Sequence, residues 1–378
     1  KAITQIEALD DYTVRFTLNS RYAPFLSNLA MPFASILSAE YAAQLLERGK
    51  PSEINQKPIG TGPFIFRKYD QDSIIYFDGH PAYWKPDDVR LSKLTFSITP
   101  DAAVRVQKLI RNECHVSAAV RPSDIASLRK APHLRILSKQ GFNMGFLAYN
   151  AIHKPLDDVR VRRALDMAID KRSIINAVYQ GHAQAAVAPL PPLQWGHDKS
   201  LKDTPRDLKQ ARRLLAQAGY PNGFTISLWA MPIQRPHMPN GRLMAEMIQM
   251  DWKKIGVQAK ILSPEWGEYL ARARRGEHDA IMLSWVSNSS DPDEWLGTLQ
   301  YSNWRNKAFD NLLQKSQQTI DTAKRTQLYL KMQKIFKQEQ PFTPIVYATS
   351  FQAIHKNVTG FKFNPLGPTI FSGVGLSE

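Results

Sequence analysis

Apolar and polar side chains alternate with a period of two along Tyr12-Thr13-Val14-Arg15-Phe16-Thr17-Leu18, the pattern of a strand with one buried face. Phe64-Ile65-Phe66, Ile74-Ile75-Tyr76-Phe77 and Leu94-Thr95-Phe96-Ser97-Ile98 follow, each bounded by glycine, proline or charged residues, and a helix is expected from about Ala102 to Arg111. The texture changes between Phe224 and Trp285. Phe224 to Ala230 reads as a strand. From about Arg242 to Ile255, Leu243, Met244, Met247, Ile248, Trp252 and Ile255 share one helical stripe, ended by Gly256. Val257 to Leu262 is the next strand, Trp266 to Arg275 a helix closed by Gly276, and Ala280 to Trp285 a third strand. This β-α-β-α-β order predicts an open, mainly parallel sheet with right-handed crossovers.

More helices are predicted around that segment. Asp157 or Asp158 caps one that carries Val161, Leu165, Ala168 and Ile169 on one face, and Pro205 to Ala218 forms another, followed by Gly219. Helices near Lys307–Ser316 and Thr322–Lys337 precede strand-like text at Thr343–Tyr347 and Phe351–Ile354. The chain thus reads as a strand-rich part, an α/β part and a return to the first texture. A discontinuous lobe over residues 1–147 plus 348–378 and a second over 148–347 are predicted, with hinges near 146–150 and 345–349.

At 378 residues the chain exceeds what one hydrophobic core usually serves, which agrees with two lobes. Its 43% hydrophobic and 10% aromatic content fits an ordinary folded protein. No apolar run approaches the roughly 20 residues of a membrane-spanning helix. No signal segment opens the text, so an export signal is expected to have been removed or to lie upstream. The net charge of +15 comes from basic residues scattered on amphipathic helices, such as Arg272, Arg274 and Arg275, without an interleaved nucleic-acid signature. A polyanion-binding reading rests on charge alone. The single cysteine, Cys114, excludes an intrachain disulfide and a cysteine-built zinc site.

In open α/β sheets, ligands bind beyond the carboxyl ends of the strands. Two loops stand there. Met231-Pro232-Ile233-Gln234-Arg235-Pro236-His237-Met238-Pro239-Asn240-Gly241 offers a guanidinium on proline-stiffened backbone, and Val286-Ser287-Asn288-Ser289-Ser290-Asp291-Pro292-Asp293-Glu294-Trp295 offers amides and carboxylates. Together they match a zwitterion with an amine at one end and a carboxylate at the other. Spacing leaves open whether Arg235 clamps a ligand or pairs with Asp291 or Asp293 at a surface.

Catalytic motifs are missing: there is no G-x-S-x-G elbow, H-E-x-x-H pair, P-loop or strand-bound G-x-G-x-x-G. In Gly60-Thr61-Gly62-Pro63 the proline makes a tight turn, not a phosphate cradle. The nine histidines include no i, i+4 pair, and no metal or cofactor is expected. The reading is of a binding protein, not an enzyme. A peptide or glycoside hydrolase built from carboxylates distant in sequence is the rival of a different class.

Pro58-Ile59-Gly60-Thr61-Gly62-Pro63-Phe64, Ser97-Ile98-Thr99-Pro100-Asp101-Ala102, Lys154-Pro155-Leu156-Asp157-Asp158-Val159-Arg160-Val161-Arg162, Leu228-Trp229-Ala230-Met231-Pro232 with Arg235-Pro236, and Asp291-Pro292-Asp293 resemble the peptide-binding proteins of bacterial ABC importers, in the dipeptide-binding branch of solute-binding family 5. The likeness runs essentially end to end. It implies an α/β, periplasmic-binding-protein-like two-lobe clamp of type II, cluster C, with mixed sheets and helices on both faces. It further implies a periplasmic monomer that passes a peptide or peptide-like ligand to an inner-membrane ABC permease, with no specific nucleic-acid partner.

By the same resemblance Arg235 holds the peptide carboxylate, and Trp285, His237, Met231, Asn288 and Asp291 complete the ligand-binding set. The family begins with further strands, so an N-terminal part is expected to be missing here, and a disulfide partner of Cys114 with it. The span from Leu299 to Trp304 is shorter than the family's disulfide-bearing loop. Asn288 stands where the family places an aspartate for the peptide ammonium. A buried ammonium without its counter-ion costs on the order of 3–5 kcal/mol. Either Asp291 or Asp293 takes over, or the ligand is not a simple free dipeptide; the second is expected here, with antimicrobial peptides, haem and glutathione-like molecules as alternative ligands of related proteins.

Overall fold

The protein is described by a computed structural model that covers every residue except Lys1, Ala118, Ala119, Asn288, Pro365, Gly367, Pro368 and Glu378, and every other side chain except that of Leu296. Two units emerge, Lys1–Met31 with Gln140–Thr349, and Pro32–Lys139 with Ser350–Glu378.

The first unit is built on a sheet with strand order β11-β10-β12-β8-β13. These strands are β8 (Asn143–Tyr149), β10 (Thr225–Trp229), β11 (Gln258–Leu262), β12 (Ala280–Val286) and β13 (Phe342–His355), and the short β9 (Ala183–Ala185) also pairs with β13. β10 runs parallel to β11 and β12, whereas β8 is antiparallel to β12 and β13 antiparallel to β8. The sheet is therefore mixed, and the mainly parallel sheet expected from the β-α-β-α-β segment extends over three strands only. β8 and β13 enter from outside that segment, where no crossover helix dictates their direction.

Strict alternation on buried strands divides the core. Leu147, Tyr149, Leu228, Ala280 and Met282 point to one face, where they meet Val161, Leu165, Met244, Ile248 and Trp252 from helices. Phe146, Ala148, Trp229, Ile281 and Leu283 point to the other, against Tyr269, Trp295, Met332 and Phe336. Both faces are covered, so the strands read as nearly continuous apolar runs. The covering helices include Val159–Ala168, capped by Asp158 through the Arg160 N–H, and Gly241–Lys253. Gly256 just beyond the latter has φ +85°, the left-handed backbone that a Cβ disfavours. Asp207 caps Leu208–Gln217 by accepting from the Gln210 N–H, so that helix starts after, not at, Pro205. Lys307–Gln318 and Thr322–Glu339 complete the set.

β1 (Ile3–Asp10) and β2 (Thr13–Leu18) form an antiparallel ribbon that also belongs to the first unit. The chain after it is tied there by the Ala23 N–H to Gln317 O at 2.6 Å and by Tyr22 Oη to Asp293 Oδ2 at 3.3 Å. Residues 1–31 and 140–147 thus fall outside the lobe to which pattern reading assigns them. β8 pairs with β12 residue by residue from Asn143↔Val286 to Tyr149↔Ala280, which makes it a core strand of this unit. The chain crosses between units at Met31/Pro32, Lys139/Gln140 and Thr349/Ser350.

In the second unit β3 (Phe64–Asp70), β4 (Ile74–Gly79) and β5 (Lys93–Ser97) make an antiparallel meander. β6 (Val116–Ser117) and β7 (Leu134–Gln140) pair with β13, and β14 (Val358–Thr359) pairs with β15 (Gly375–Leu376). A small core gathers Val106, Leu109, Ile125, Leu128, Leu134, Phe351 and Ala353. The two strand-like stretches at Thr343–Tyr347 and Phe351–Ile354 are one continuous β13, because Ala348, Thr349 and Ser350 stay extended. Cys114 is half-buried with a free thiol. Among the described residues no helix is long and apolar enough to cross a membrane.

Candidate functional site

β10 and β12 are hydrogen-bonded parallel neighbours, so the loops that leave their carboxyl ends emerge side by side. The first loop returns on itself. Gly241 begins the next helix so close to Met231 that a Cβ on it would lie 2.6 Å from the Met231 carbonyl oxygen, and Asn240 caps that helix through the Leu243 N–H at 3.0 Å. At the loop's tip Arg235 and Met238 exchange backbone hydrogen bonds at 3.1 and 3.0 Å, which folds Pro236-His237 into a tight reversal. Tyr179 Oη donates to the His237 carbonyl at 3.1 Å from beneath. It comes from Lys171–Tyr179, a helix that the sequence pattern does not announce.

Arg235 stands exposed, and its guanidinium makes no hydrogen bond or ion pair among the described residues. The alternative pairing with Asp291 or Asp293 is absent, because both carboxylates are engaged elsewhere. Asp291, 4% exposed, receives Arg325 through two parallel bonds of 2.8 and 2.9 Å and caps the following 3-10 helix, Pro292–Ser302, through the Asp293 N–H. Arg325 also reaches Ser316 O and Tyr329 Oη and lies over the Trp195 ring at 5.0 Å. Asp291 is a buried structural partner, which corrects the expectation that it faces a ligand. Asp293 accepts from Gln317 Nε2 at 3.0 Å and from Tyr22 Oη. Burial holds its carboxyl above the usual range, and the negative charge of Asp291 adds to the effect.

Met231 is buried as well. At 4% exposure it packs into the core and accepts from Ser284 Oγ at 3.5 Å through its sulfur, so it supports the wall between the two strand ends. His237 is half-buried, and burial followed by the nearby Arg235 charge lowers its imidazole pKa to about 4, so it is neutral at physiological pH. Trp285 is partly exposed at the end of β12, with its indole N–H buried and unpaired among the described residues. A donor shut away from water without a partner costs roughly 1–3 kcal/mol unless something else accepts from it. Asn288 lies outside the described residues. Its neighbours are firmly held: Ser287 Oγ donates to Glu294 Oε2 at 2.6 Å, the Ser289 N–H to the same oxygen at 3.0 Å, and Gln194 Nε2 to Ser290 O.

Glu294, Arg325, Gln194 and Tyr179 are the residues that sequence reasoning missed. Arg325, Gln194 and Tyr179 act through partners distant in the chain, which local periodicity cannot report, and Glu294 acts within its own loop through Ser287 and Ser289. The Asp291-Pro292-Asp293 motif was the only local signal of the cap.

The description "Bacterial extracellular solute-binding proteins, family 5 Middle" fits residues 1–307. Di/tripeptide-binding protein 1 of Pseudomonas aeruginosa is 50% identical over an alignment that spans 100% of this chain and 72% of that protein. The dipeptide-binding protein of Escherichia coli is 44% identical, over 99% of this chain and 72% of its own. The solved dipeptide-binding protein of Pseudoalteromonas in complex with Met-Leu superimposes with a TM-score of 0.89 at 34% identity, covering 100% of this chain and 76% of the other.

Proposed function

The chain belongs to the bacterial extracellular solute-binding proteins of family 5, and on that premise we propose that it captures a di- or tripeptide in the periplasm and hands it to an ABC permease. Relatives named for di- and tripeptides support this ligand class over haem or a glutathione-like molecule. The observation that carries the reading is the Arg235 guanidinium, exposed and without a partner among the described residues on a stiff loop beyond β10, with the Trp285 indole N–H, likewise unpaired among them, at the neighbouring strand end. The first would take the peptide carboxylate and the second a carbonyl oxygen. Neutral His237 would line the site without repelling Arg235, and Asn288 would offer its amide carbonyl to the ammonium. Asp291 and Met231 support the site from behind. The family binds solutes, and the ligand is expected to leave unchanged.

Calorimetric titration with free di- and tripeptides tests this, combined with mass spectrometry of molecules released from the purified protein. One peptide bound per chain and recovered intact is the expected result. Failure of every short peptide to bind, or recovery of cleaved product, would sink the proposal.

A further inference from the structure

Three histidines of the second unit stand in a row across three neighbouring strands. His355 ends β13; His115 immediately precedes β6 and His133 immediately precedes β7. Backbone hydrogen bonds fix this alignment: the His355 N–H donates to His115 O at 2.8 Å, and the Lys356 N–H to His133 O at 2.8 Å. Because Ile354 pairs with Val116, the register sets His355 opposite His115, and cross-strand partners project on one face. The rings confirm it, with centroids 6.1 Å apart for His115 and His355 and 5.3 Å apart for His133 and His355.

We propose that these three histidines form a binding site for a divalent transition-metal ion such as Zn2+ or Ni2+. Two imidazoles bound to one ion at about 2.0–2.1 Å, at a tetrahedral angle, hold their centroids about 5 Å apart, close to the His133–His355 separation. His133 Nε2 is buried and has no hydrogen-bond partner among the described residues, so with the ring proton on Nδ1 it offers a lone pair to an ion. His355 Nδ1 lies 2.6 Å from Asn357 Oδ1. The Asn357 backbone N–H also reaches this nitrogen, at 3.3 Å; in the tautomer with the proton on Nδ1, donated to the closer amide oxygen, Nε2 carries the free lone pair, the arrangement by which outer-shell groups orient metal-binding histidines. Among the described residues no three His, Cys, Asp or Glu side chains already converge on one point. Closing the site takes a rotation of His115, whose ring is exposed and makes no side-chain hydrogen bond among the described residues. Neutral imidazoles without carboxylates select borderline ions over Mg2+ and Ca2+.

The experiment is titration of the chelator-treated full chain with ZnCl2 and NiCl2, followed calorimetrically, with Cu2+ substitution to count coordinated nitrogens by electron paramagnetic resonance. The expected result is one ion per chain, at least tenfold weaker binding in His355→Ala, His133→Gln and His115→Ala, and a 10–100-fold loss in Asn357→Leu. Thermal melts of each variant in EDTA report whether it folds. His115 is exposed, so His115→Ala keeps the test decisive even if the other variants do not fold. Absence of saturable binding by the unsubstituted chain would overturn the proposal, as would an affinity unchanged in His115→Ala or hyperfine structure from fewer than two nitrogens.

Discussion

Arg235 and His237 share one reversal of chain, and their electrostatics are linked. Burial disfavours the charged imidazole, and the guanidinium beside it works in the same direction. The Arg235→Ala variant is therefore expected to weaken dipeptide binding by about 2–5 kcal/mol, the cost of removing one partner from a desolvated charge pair, as measured by calorimetry. It should also raise the His237 pKa, a shift readable by NMR titration of the imidazole. The pH dependence follows from the depressed value. Folded His237 binds its proton only near pH 4, whereas the unfolded residue binds it near 6.5, so the unfolded chain holds more protons in between. Stability should fall by about 1–3 kcal/mol as pH drops through that window, and His237→Gln should flatten this part of the profile in urea denaturation. At position 288 an added charge should help the proposed ammonium contact, with Asn288→Asp expected to tighten dipeptide binding roughly tenfold.

The 3-10 helix Pro292–Ser302 shows what a buried ion pair does for an element. Asp291 caps it and Arg325 neutralises the cap, both at 4% exposure, so removing either leaves an uncompensated charge inside the protein. Asp291→Ala should cost about 3–5 kcal/mol of stability in denaturant titration, whereas Arg235→Ala, on an exposed side chain, should leave stability nearly unchanged. The contrast separates a structural residue from a ligand-binding one within the same motif pair.

Element identity was legible wherever chemistry was local: Asp158 at a helix start, Gly256 at a helix end, and the apolar stripe through Met244, Ile248 and Trp252. Direction and pairing were not. Nothing along Asn143–Tyr149 announces that it runs antiparallel to β12, and the text around Thr349-Ser350 interrupts two strand-like stretches that the structure joins into one strand. For the site, sequence order located the two loops because strand ends are local features. It could not tell that Asp291 was already taken, since its partner lies in a helix beyond the loop.

At the scale of the molecule, β13 supplies both units. Phe342, Ile345 and Val346 enter the cores of the first, and Phe351, Ala353 and Ile354 those of the second. Their neighbours β8, β6 and β7 lie far earlier in the sequence. Both hydrophobic interiors therefore depend on contacts between residues far apart in sequence, the kind of pairing that forms slowly because loop closure must precede it.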